Sequence, residues 1–294
     1  MEVYVNKEQE QLDKVIADRR NFLKGVGLTG LSIAGAAMVG GKLGLVDGLP
    51  GAEKLGLGPS RVDAASYTDV DILNFALNLE YLEAEFYTVV VTGKTLDQSG
   101  FDLSGKGSFG PTTGGKKVAI TGNFAKQLSM TLNSIMNEEQ THVKFLRSAL
   151  GSYAVAKPAI NLNALGIGYA NVMELITLAR AFEQTGESAY AGAAHLITNK
   201  SYLTAAAQIL AVESEHTGNL RLFCALYGVP TSKIDWHDVL PPPSGPNMFT
   251  VDHNGLAPIR TTSEVLAIVY GKSTGGTSRG GFFPMGVNGA INVV

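Results

Sequence analysis

Two Glu-x-x-His motifs, Glu139-Gln140-Thr141-His142 and Glu213-Ser214-Glu215-His216, hold the residues whose types and spacing best suit chemistry. At positions i and i+3 of a helix, a carboxylate and an imidazole leave the same face, so both can reach one metal ion inside a helix bundle. The chain has five histidines, and chance placement of glutamates three residues before them would give only about 0.3 such pairs. Two motifs, each deep in an apolar helical pattern, therefore count as a signal.

Two further glutamates match each other. Glu80 is followed seven residues later by Tyr87, and Glu183 seven residues later by Tyr190. Seven residues is nearly two helical turns, which puts each tyrosine on the stripe of its glutamate, where its hydroxyl can hydrogen-bond a ligand or simply pack in the core. His142 and His216 are each followed five residues later by an arginine, Arg147 and Arg221. The chain thus reads as two related helix pairs. Glu80, Glu139, Glu183 and Glu213 with neutral His142 and His216 carry a formal charge of −4, which two divalent cations cancel. Without metal, converging carboxylates in an apolar core would cost several kcal/mol each unless protonated. A single cysteine, Cys224, rules out a thiolate cage and an internal disulfide, and it reads as a packing residue. The mixed carboxylate and imidazole set suits iron or manganese, with zinc also compatible.

Other residues compete for these roles. Glu83 and Glu187 stand one turn from Glu80 and Glu183 and can replace or join them, although the repeat favours Glu80 and Glu183. Glu85 points to another face. Glu138 and Glu215 read as surface or supporting groups, Arg147 and Arg221 as partners of surface acids. His195, His237 and His253 lack a carboxylate at ligand spacing.

The elements that must position these residues are four long helices, over 68–92, 123–150, 170–198 and 202–227. A Gly/Thr/Ser-rich loop at 93–122, with a hairpin suggested within it, joins the first two. Residues 152–168, with Pro158 and alternating apolar residues, form an extended crossover between the second and third. Four helices with one long crossover is the connectivity of a ferritin-like bundle. The expected fold is all-α, with the bundle over 65–228. An irregular Gly/Pro-rich extension at 229–294, containing a short helix near 263–270, is expected to pack on the bundle.

Residues 1–64 are of a different kind. Arg19 and Arg20 open an RRNFLK segment followed by a mildly apolar, Gly-rich stretch at 25–41, the pattern of a twin-arginine signal. That stretch is shorter and weaker than a membrane span. Export by the twin-arginine machinery to a periplasmic or extracellular location follows, with retention at the membrane by an uncleaved signal as the alternative. The 294 residues carry a net charge of −3 with no basic cluster beyond this segment, which argues against nucleic acid as a partner.

The segments LNFALNLEYLEAEFY, EEQTHVKFL, AFEQTGESAY and ILAVESEH, with TSEVLAIVYG and GGFFPMGVNG in the tail, resemble the ferritin-like family that includes exported bacterial proteins and plant desiccation-related proteins. The resemblance implies a di-iron or di-manganese centre, with a glutamate from each of the first and third helices and Glu-x-x-His from the second and fourth. Carried over, these are Glu80, Glu139, His142, Glu183, Glu213 and His216. The implied activity is oxidoreductase chemistry on oxygen, peroxide or ferrous iron. Two alternatives are iron storage, which requires a hollow homo-oligomer, and a non-catalytic stress or envelope protein with a structural metal.

Overall fold

The computed structural model describes residues 67–271 and 275–294. The signal and linker assigned to 1–64 lie outside the described residues. Five α-helices dominate: α1 (Asp69–Thr92), α2 (Ala125–Leu150), α3 (Val172–Ala193), α4 (Lys200–Tyr227) and the short α5 (Thr262–Val269). Among the described residues, no helix is long and apolar enough to cross a membrane.

The helix starts follow local chemistry. Thr68 and Asp71 form a reciprocal capping box at α1: the Thr68 hydroxyl accepts from the Asp71 N–H, and the Asp71 carboxylate accepts from the Thr68 N–H at 2.9 Å. Asn171 caps α3 by accepting from the Met173 and Glu174 N–H groups, and Asn199 does the same for α4 at Ser201 and Tyr202. The third helix is shorter than expected. It ends at Ala193 and passes into a 3-10 turn, Ala194–Leu196, before Asn199 caps α4.

α1 packs along α2 and α3 along α4, and the pairs join mainly through α1 and α3. α2 buries one stripe, Leu128, Leu132, Ile135, Glu139, His142, Val143, Leu146 and Leu150, at the spacing of an amphipathic helix. α1 is buried on nearly every side, because a second layer covers it. In that layer the Asn74 amide donates to the Tyr153 carbonyl, and its oxygen accepts from the Val155 N–H. Asn78 exchanges two hydrogen bonds with the backbone of Asn288.

The long loop contains no hairpin among the described residues. Its strand β1 (Thr112–Thr113) pairs in parallel with β2 (Ile160–Asn161) of the crossover, so the two long connections hold each other. The buried Lys157 ammonium, 3.5 Å from Glu85 and donating to the Gly110 carbonyl and the Thr112 hydroxyl, fastens this junction to α1. Described residues of the 229–294 extension lie against α1 and α3. Arg180 of α3 pairs with Asp238 at 2.8 Å, and Arg260 donates to the Ser188 hydroxyl at 2.6 Å. The Phe282 ring meets Phe182 edge-on at 5.0 Å.

Candidate metal centre

The apolar stripes of the four helices turn six polar side chains toward one point in the bundle. Glu80 comes from α1, Glu139 and His142 from α2, Glu183 from α3, and Glu213 and His216 from α4, and all six are buried. Their potential ligand atoms form two overlapping groups: Glu80, Glu139, His142 and Glu213, and Glu139, Glu183, Glu213 and His216. Within each group the atoms lie within 4.8 Å of one another. Glu139 and Glu213 belong to both groups, so these two carboxylates join them.

The donors lie at ligand-scale distances from one another. His142 Nδ1 stands 3.3 Å from Glu80 Oε2, 3.5 Å from Glu139 Oε2 and 3.7 Å from Glu213 Oε1. His216 Nδ1 stands 3.0 Å from Glu183 Oε2 and 3.1 Å from Glu139 Oε1. Donors at right angles around an ion with bonds of about 2.1 Å are about 3.0 Å apart, and tetrahedral ones about 3.4 Å. The two oxygens of Glu139 thus face different histidines.

Both oxygens of Glu139 and of Glu213, one each of Glu80 and Glu183, and His142 Nδ1 are buried without a hydrogen-bond partner among the described residues. Buried polar atoms left so cost free energy individually, and seven in one place mark a site completed by something other than protein. The donor set and the orphaned atoms together fit a metal site.

Without cations the charges strain against one another. Burial, reinforced by the Glu80 charge, pushes the Glu139 carboxyl up to about 7. Burial and the charges of Glu139, Glu183 and Glu80 push Glu213 well above the ordinary carboxylate range. Burial opposes ionisation of Glu80 too, but the adjacent His142 charge and hydrogen bonds hold that carboxyl below its usual value.

The groups around the six are now placed. Tyr190 of α3 donates its hydroxyl to Glu80 Oε1 of α1 in a very short hydrogen bond. Tyr87 of α1 is buried beside Glu183 of α3, and burial plus the charge of Glu183 and a hydrogen bond to it raise its phenol far above the ordinary value. Each tyrosine therefore serves the glutamate of the other helix rather than its own, as expected where α1 and α3 run antiparallel past each other. Glu138, half-exposed, sits 2.7 Å from His216 Nε2 and orients that ring, leaving Nδ1 toward the carboxylates.

Glu83 is buried close enough to feel Glu213, Glu183, Glu139 and Glu80, yet neither Glu83 nor Glu187 belongs to a ligand group. Glu85 points away and accepts from the Leu96 N–H at 3.0 Å. Arg147 pairs with Asp102 at 3.1 Å near the surface. Arg221 differs from its expected surface pairing: it is fully buried and donates to the carbonyls of Val239, Asn247 and Met248 in the extension. His237 bonds to Glu264 at 3.0 Å, away from the centre. Cys224 is buried, which pushes its thiol up to about 11, as suits a packing residue.

Gly186 is the residue that sequence reasoning passed over. A Cβ at this position of α3 would stand 2.6 Å from Glu213 Oε2 and 2.9 Å from Glu83 Oε1, so only glycine lets α3 come this close to the carboxylates. Its signal was a lone glycine inside a helical pattern, which usually has a packing or functional reason.

An all-α bundle with two overlapping carboxylate and histidine clusters defines a protein of the ferritin-like class. The chain belongs to the ferritin-like domain family, whose pattern matches residues 68–225. It is similar to the Ferritin-like catalase Nec2 of Nesocodon mauritianus, with 23% identity over 276 residues, covering 76% of this chain and 84% of that protein. It is also similar to the Desiccation-related protein PCC13-62 of Craterostigma plantagineum, with 26% identity over 185 residues, covering 57% of this chain and 56% of that protein.

Proposed function

We propose that this chain is an exported two-metal carboxylate protein that acts on peroxide or oxygen, with iron or manganese held by Glu80, Glu139, His142, Glu183, Glu213 and His216. The observation that carries the proposal is the sharing of Glu139 and Glu213 between two clusters of otherwise unpartnered buried donors. Bound there, iron or manganese supplies the redox steps that no side chain of the site provides. The protein's own part is to hold and to shield. Glu138 fixes the His216 ring and Tyr190 fixes Glu80, and the burial of all six ligand candidates keeps bulk water from them. The relative named a catalase supports peroxide disproportionation. The RRNFLK segment supports export by the twin-arginine route.

A second reading is a stress protein in which the metals only stabilise the bundle, favoured by the desiccation-related relative. Metal analysis of the full chain purified without added metal, with oxygen release from peroxide measured on the same sample, separates the two. Two iron or manganese ions per chain with oxygen release are expected. Two ions with no redox response would favour the structural role. Glu139→Ala and His216→Ala should each lose at least one ion, and retention of both ions in either variant would refute the ligand set.

A further inference from the structure

Where the C-terminal extension crosses α1 and α3, a cavity of about 500 Å3 opens into the protein. Its walls are largely apolar, with Leu79 and Leu82 of α1, Phe182 of α3, Ile268 of α5 and Phe282 of the extension. Leu165 and Lys233, also on the lining, are exposed and mark the solvent side. Glu83 and Gly186 mark the opposite side, because the position where a Gly186 Cβ would stand is within 3 Å of both Glu83 Oε1 and Glu213 Oε2. The cavity therefore ends against the carboxylate cluster itself.

Close-packed interiors leave few voids larger than a water molecule, and this one falls in the range of sites for small organic ligands. Such sites combine an apolar lining with a few convergent polar groups. Here two buried charged groups reach the lining, Arg180, which pairs with Asp238, and Glu83, which stands at the end against the carboxylate cluster. A polar group at the end of an apolar cavity favours a ligand that brings a hydrogen-bonding group to it.

We propose that this cavity binds a small, mainly apolar organic molecule whose single hydrogen-bonding group meets Glu83 at the inner end. A molecule seated there occupies the α1 and α3 approach to the carboxylate cluster. Its binding does not require the metals, so the proposal goes beyond the metal-centre reading and can fail without it.

N-Phenyl-1-naphthylamine, an apolar molecule with one N–H, is a suitable fluorescent probe for the full chain in its metal-loaded form. Saturable one-to-one binding is expected. Ala181→Phe and Ile268→Trp fill the cavity from opposite walls, and each should weaken binding at least tenfold with metal content and helicity unchanged. Glu83→Gln, which keeps a hydrogen-bond acceptor, should preserve binding, whereas Glu83→Leu should weaken it severalfold. Absence of saturable binding by the unmodified protein, or binding that a folded wall variant leaves intact, would overturn the proposal; normal metal content in the same samples would leave the metal centre standing.

Discussion

Replacing Gly186 with alanine should affect the metal-free and metal-loaded proteins in opposite directions. Glycine in a helix interior costs about 1 kcal/mol relative to alanine, so the substitution begins with that gain. Against it stand the two approaches of 2.6 and 2.9 Å, to Glu213 Oε2 and Glu83 Oε1. Both atoms are the ends of flexible side chains. In the metal-free protein they can swing aside, and part of the helix gain survives. The expected change is between zero and about 1 kcal/mol of added stability, or up to about 4 °C in Tm for a domain of this size.

With both ions bound, Glu213 has no such freedom, because it belongs to both ligand groups. Displacing a bound carboxylate by a fraction of an ångström should weaken metal binding by about ten- to a hundredfold, the range seen when groups that orient ligands are removed. Thermal melts of chelator-treated and metal-loaded Gly186→Ala, with chelator competition for affinity, read both effects. Wild-type metal affinity in the variant would refute the reasoning. So would a metal-free protein destabilised by more than about 2 kcal/mol, which would mean that backbone rather than side-chain ends resists the methyl group.

The metal-free protein should become less stable as pH rises. Glu139, raised from 4.5 to about 7, holds its proton longer in the folded state than in the unfolded one, so deprotonation costs stability progressively between those values. Burial alone would lower the His142 imidazole, but the Glu80 charge and hydrogen bonds to Glu139 and Glu80 raise it from 6.5 to about 11. Its contribution is complete below 6.5 and fades toward 11, in the same direction. A metal-free Tm that is flat or rising from pH 5 to pH 9 would contradict this, and the loaded protein should vary less because cations take the place of protons. Arg221→Met strands the buried carbonyls of Val239, Asn247 and Met248, at a cost of about 3 kcal/mol. Limited proteolysis should then cut within 239–249 while metal content stays intact; loss of metal before cleavage would contradict this separation.

Much of the bundle was legible because helix periodicity and caps are local. Thr68, Gly93, Gly151 and Gly228 mark ends that the structure keeps. The six ligand candidates could be paired from sequence because two Glu-x-x-His motifs and two Glu-x6-Tyr motifs repeat along the chain. What could not be read depends on how elements cross. Tyr190 reaches Glu80 rather than Glu183 because two helices pass antiparallel. Glu138 reaches His216 across the seam between α2 and α4, seventy-eight residues apart. The parallel pairing of β1 with β2 joins two connections with little strand pattern of their own. Arg147 and Arg221 occupy matching places in the repeat, yet only Arg221 is covered by the extension, which the repeat does not include.

Asn288 gives the architecture a temporal order. Its backbone bonds to Asn78 across 210 positions, and its side-chain amide bridges the carbonyls of Ser108 and Ala156. None of these links can form during synthesis until residue 288 has left the ribosome. Helix pairing can start early from short-range contacts, but the cover over the first helix closes only once Asn288 has emerged. A chain stopped short of this asparagine should linger as a partly wrapped bundle with Asn78 and the crossover backbone uncovered.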